Sequence, residues 1–86
     1  MIEKKMKVKL SEGLEFGPAT MFVQVASKYK SRIYVLMDNK RVNAKSIMGM
    51  MALGLDSGEV VTVITDGSDE DEAFEKIENY LTSRED

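Results

Sequence analysis

The chain has 86 residues, 15 acidic and 12 basic, and a net charge of −3, which leaves room for one domain with a single two-layer core over 1–86. It contains neither cysteine nor histidine. That excludes disulfides, thiolate chemistry and Cys-based metal sites, and removes the commonest general base, metal ligand and pH switch. The acidic balance argues against direct nucleic-acid binding, and no apolar run approaches the ~20 residues of a membrane span. MIEKKMKVKL at the start lacks the apolar segment of a signal peptide, so a cytoplasmic location is expected.

Residues 2–10 alternate, with Met6, Val8 and Leu10 on one face and Lys5, Lys7 and Lys9 on the other, which predicts a half-buried strand with a wet outer face. Ala19, Phe22, Val23, Ala26 and Tyr29 then recur at helical spacing, and Pro18 suits the first turn of that helix because its missing N–H would have had no intrahelical partner. Arg32 to Met37 reads as a second strand, Asp38-Asn39 as a tight turn, and Lys40 to Asn43 as a short third strand. Ser46 reads as the N-cap of a short helix, Ile47 to Leu53, closed by Gly54. Within it Met50 and Leu53 are the expected inward pair.

Glu59 to Thr65 predicts the fourth strand, with Val61, Val63 and Thr65 sharing a face. Asp66-Gly67 is a turn, and Ser68 with Asp71 forms a capping-box-like start to the last helix. The acids of its first turn, Asp69 to Glu72, suit the positive end of the helix dipole. Ala73, Phe74, Ile77, Tyr80 and Leu81 form its apolar stripe, and residues 83–86 are expected to fray. The order β-α-β-β-α-β-α, with helices on one face of a mainly antiparallel sheet, is an α+β open sandwich. Phe22, Val23, Ile33, Val35, Val61, Val63, Phe74 and Ile77 should line its one core.

Two stretches carry chemistry. GLEFGPAT, residues 13–20, crowds two glycines and the only proline before an apolar helix, the setting of an anion site at a helix N-terminus, yet its central side chains are Glu15 and Phe16. AKSIMGMM, residues 44–51, places a serine at a helix start beside three methionines, an adaptable apolar surface that a short helix cannot bury entirely.

The blocks GPAT with VQVASKYKS, then VNAKSIMGMMALGLDSGEVVTV, then GSDEDEAFEKIENYL resemble the HPr family, the histidine-containing phosphocarriers of the bacterial sugar phosphotransferase system. The resemblance runs from the first strand to Leu81 and implies strand order 1-4-2-3 with three helices on one face. In that family a histidine in the opening loop accepts phosphate from enzyme I, supported by an arginine two residues on. Here Glu15 takes the histidine's place and Gly17 the arginine's, with Phe16 between them, while Pro18 and Ala19 remain. Three readings of Glu15 stand: an acceptor forming an acyl phosphate, a one-charge mimic of phosphohistidine, or a loop residue with no part in transfer.

By the same resemblance, Ser46 is the site of a regulatory phosphorylation by HPr kinase/phosphorylase, while the residues alone allow it to be only a helix cap. The resemblance also implies a docking patch at Ile47, Met48 and Met51, which Phe16 would enlarge and to which Thr20 adds. The overall expectation is a catabolite-repression-HPr-like paralogue without the active-site histidine. It would not be an enzyme, would need no cofactor or metal, and would act by binding. The implied partner of the Ser46-phosphorylated form is a LacI-type catabolite control repressor. The alternatives are a divergent phosphocarrier and an interaction module serving a non-sugar pathway.

Overall fold

The computed structural model describes residues 1–9, 16–54 and 58–82. Along the chain run β1 (Ile2–Lys7), α1 (Phe16–Ser27), β2 (Arg32–Met37), β3 (Lys40–Asn43), α2 (Ile47–Leu53), β4 (Val60–Asp66) and α3 (Glu70–Thr82). The strands form one antiparallel sheet in the order β1-β4-β2-β3. Alternation along each strand sends Met6, Ile33, Val35, Val61, Val63 and Thr65 to the same side, where they are buried. The helices close that side with Ala19, Phe22 and Ala26 from α1, Met50 and Leu53 from α2, and Ala73, Phe74, Ile77 and Leu81 from α3. This is the expected α+β open-faced sandwich.

Several boundaries differ from the sequence reading. The first strand stops at Lys7 rather than residue 10. Val8 still exchanges bonds with the chain before β4, but the Lys9 N–H donates to the Leu81 carbonyl at the end of α3, 2.8 Å away, so the chain has left the ladder there. Leu10 and residues 83–86 lie outside the described residues. The fourth strand is shifted by one, from Val60 to Asp66, because Asp66 pairs with Arg32 of β2. Val23 and Tyr80 are only half-buried: each packs on the flank of the core, Tyr80 with its ring tilted 5.8 Å from that of Phe22. Tyr29 falls beyond the end of α1.

The start of α3 also departs from expectation. The helix begins at Glu70, which puts Asp69 rather than Ser68 at the capping position. The Asp69 carboxylate turns away from its own helix. Its Oδ2 accepts from the Lys30 N–H at 2.9 Å, and its Oδ1 accepts from the Ser31 N–H at 2.9 Å and the Ser31 hydroxyl at 2.5 Å. Glu70 reaches back instead, its Oε1 accepting from the Gly67 N–H at 3.0 Å. The Ser31 hydroxyl, with the N–H groups, holds Asp69 below the ordinary carboxylate range, and the Gly67 N–H does the same for Glu70. Thr65, buried beneath, donates its hydroxyl to the Glu70 carbonyl.

Candidate functional site

Local chemistry builds the entry to α2. Asp38, in the left-handed region at φ 57°, turns β2 into β3. At the end of β3, Asn43 organises the next turn: its side-chain oxygen accepts from the Lys45 N–H at 2.8 Å and its carbonyl from the Ser46 N–H at 2.9 Å. Ser46 is thereby set in extended conformation (φ −105°, ψ 114°). Its hydroxyl oxygen accepts from the Gly49 N–H at 3.1 Å, and its carbonyl accepts from the Met50 N–H at 3.0 Å. These are the bonds of an N-cap. Gly54, left-handed at φ 65° and ψ 46°, closes the helix.

Gly49 matters to this geometry. A Cβ there would lie 3.3 Å from the Ser46 hydroxyl oxygen and 3.4 Å from Val42 Cβ, tighter than ordinary contact. Its absence keeps the hydroxyl clear on the side facing the first turn. No acidic residue occupies that turn. Lys45 is committed elsewhere, its ammonium donating to the Tyr29 carbonyl at 2.6 Å and so tying the α2 entry to the chain following α1. Sequence reasoning missed that tie, which joins residues 16 apart with no local signature.

The apolar residues of α2 divide as its periodicity requires. Met50 and Leu53 are buried, Ile47 is half-buried against the core, and Met48 and Met51 stand 75% and 40% exposed. Half-buried Ser46 therefore opens a helix whose outer face is methionine. Thr20 sits half-buried on α1, which packs against α2. Met21, also missed, is 57% exposed on α1, as follows from the inward set Ala19, Phe22 and Ala26. Glu15 lies outside the described residues. Phe16 and Gly17 open α1 by their backbone, and the Phe16 side chain lies outside the described part of the structure. Among the described residues no group of acidic, histidine or cysteine side chains could hold a metal ion, and no helix is long and apolar enough to cross a membrane.

A 1-4-2-3 antiparallel sheet with three helices, in the order β-α-β-β-α-β-α, matches the fold of the HPr phosphocarriers. The family model described as the PTS HPr component phosphorylation site matches residues 2–83, and the chain belongs to the HPr family. Its relatives include the HPr-like protein Crh of Halalkalibacterium halodurans, 51% identical over 81 residues that cover 94% of this chain and 96% of the relative. Crh of Bacillus subtilis is 46% identical, over 94% of this chain and 95% of the relative. Among solved structures, HPr-C-His from Thermoanaerobacter tengcongensis superposes with a TM-score of 0.91 at 47% identity, covering 96% of this chain and 93% of the other.

Proposed function

We propose that this protein is a regulatory member of the HPr family in carbon catabolite control, acting by protein binding rather than by histidine phosphotransfer. Phosphorylation of Ser46 is the switch in this reading. The observation that carries it is the pairing of an N-cap hydroxyl with the exposed side chains of Met48 and Met51, in a chain without any histidine. Phosphate on Ser46 would add a charge of about −1.5 to −2 next to an adaptable apolar surface. A partner using both needs a basic pocket beside an apolar groove.

HPr kinase/phosphorylase as the modifying enzyme and a LacI-type catabolite control repressor as the partner fit this chemistry and the likeness to Crh. Ile47, Met48 and Met51 would form the contact surface, with Thr20 and Phe16 from α1. Glu15 and Gly17 stand where carriers have histidine and arginine, so the opening loop is assigned to contact rather than transfer. The protein would work in the cytoplasm, where these partners act, without cofactor.

The test combines kinase and binding assays. HPr kinase with ATP should phosphorylate the wild type and leave Ser46→Ala unmodified. Met48→Asp should abolish repressor binding while leaving phosphorylation intact and stability within about 0.5 kcal/mol, as expected of an exposed position. Incubation with phosphoenolpyruvate and enzyme I should leave the protein unlabelled. Stoichiometric kinase-dependent phosphate on Ser46→Ala, or a repressor complex indifferent to the serine, overturns the reading. A hydroxylamine-labile label from enzyme I would identify Glu15 as an acyl-phosphate acceptor instead.

A further inference from the structure

The three helices cover one side of the sheet; the opposite side has its own organisation. Strand register places Lys5 beside Thr62, Thr62 beside Leu36, and Leu36 beside Arg41, one continuous row across all four strands. The next row runs Glu3, Ile64, Tyr34, Asn43, and on the other side Lys7 stands opposite Val60. The centre of this face is therefore apolar: Leu36, Tyr34 and Ile64 are half-buried, and Val60 is 55% exposed. Its flanks are cationic on both sides, with Lys5 and Lys7 on β1 and Arg41 on β3.

We propose that this uncovered sheet face is a second docking surface, built for an acidic amphipathic helix of a partner protein. Three inter-strand gaps separate Lys5 from Arg41, about 14 Å of backbone, and a helix with its side chains is about 10–12 Å across. Along β4, Val60 to Ile64 spans about 13 Å, the length of roughly nine helical residues. A helix laid along that trough would set an apolar stripe on Leu36, Tyr34 and Ile64 and present acids on both flanks to Lys5, Lys7 and Arg41.

The charges favour that occupant. Four cations on this face, Lys5, Lys7, Arg32 and Arg41, outnumber its two carboxylates, Glu3 and Asp66, although the whole chain carries −3. The ion pairs among the described residues, Met1 with Glu70 and Lys4 with Glu78, involve none of them. Arg41 is held with its guanidinium 4.2 Å from the centre of the Tyr34 ring. That contact sets the cation at the trough's edge and occupies the only aromatic face on this side among the described residues, which disfavours single-stranded nucleic acid, whose bases need aromatic platforms. The surface lies across the sheet from α2, so its occupation neither requires nor blocks the proposed Ser46 switch.

The experiment is a titration of the isotope-labelled full chain followed by amide resonances. The probe is a capped peptide of about 15 residues, leucine on one helical stripe and glutamate elsewhere. Shifts should concentrate at Lys5, Leu36, Arg41, Thr62 and Ile64, and affinity should fall as salt rises. A counterpart with lysine for glutamate should not bind. The double variant Lys5→Glu with Arg41→Glu should lose roughly tenfold or more in affinity while staying folded, with only a few degrees' loss in melting temperature from the broken Arg41–Tyr34 contact, and Thr62→Glu, which puts an acid mid-trough, should lose affinity likewise. Absent shifts, or shifts confined to α2, overturn the proposal. So does a thymidine oligonucleotide that perturbs this face when the acidic peptide does not. Concentration-dependent shifts at the same residues without peptide would name a second copy of the chain as occupant, again against the proposal.

Discussion

Replacing Gly67 with alanine tests how the β4–α3 turn is locked to the rest of the molecule. A Cβ at Gly67 would lie 2.7 Å from both Cα and Oγ of Ser31, and 3.0 Å from its Cβ. Ordinary contact needs about 3.5–4.0 Å, so the two segments must part by about 1 Å. Ser31 cannot rotate out of the way, because its backbone is one of the obstacles and it is 1% exposed. Its N–H and hydroxyl are also the donors that hold Asp69. Overpacking of this kind costs about 1–3 kcal/mol. At about 4–8 °C per kcal/mol for a domain of this size, a central cost of ~2 kcal/mol lowers the melting temperature by about 8–16 °C. Gly54→Ala is the control: it forces a side chain into the left-handed region at φ 65°, but nothing lies within 4 Å of the new Cβ. It should cost only about 1 kcal/mol, the conformational penalty alone. Both are read by thermal and urea unfolding followed by circular dichroism. If Gly67→Ala is no more destabilised than Gly54→Ala, the turn relaxes freely and the close approach to Ser31 is not a constraint.

Phe74→Ala, at a ring 7% exposed between α3 and the sheet, should lose roughly 3–5 kcal/mol in urea unfolding, and a loss below about 1 kcal/mol would place the ring outside the core. Acid should weaken the fold through Asp69 and Glu70. Both folded-state pKa values are depressed, so their contribution is complete above the ordinary carboxylate range and is lost as pH falls through the lower folded values. Asp69→Asn should therefore be less stable than wild type at neutral pH and should flatten the acid limb of its stability curve. Parallel curves for the two proteins down to about pH 2 would refute the assignment of that limb to Asp69.

Much of the candidate site was legible because it is made of local contacts. Ser46 and Gly54 cap their own helix within a few residues, and the alternation of Met48 and Met51 with Met50 and Leu53 follows from 3.6 residues per turn, whereas the Asn43 turn and the clearance at Gly49 came only with the structure. Glu15, Phe16 and Gly17 drew a functional reading only through the resemblance to the HPr family, since no periodicity assigns a role to a loop.

The sequence by itself determined the kind and order of the seven elements, both caps of α2 and the inward faces of β1, β2 and β4, because propensity, capping and alternation act over a few residues. It also determined that no phosphohistidine can form, there being no histidine. Only the tertiary structure decided which side chain starts α3. Ser68 and Asp71 satisfy a local capping pattern, but Asp69 finds three donors 38 and 39 residues away at the turn after α1, and that long-range cluster sets where the helix begins. The same holds for the trough on the open face. Lys5, Thr62, Leu36 and Arg41 share a row only because β4 inserts between β1 and β2, a pairing chosen by burial of the whole sheet and absent from any single strand.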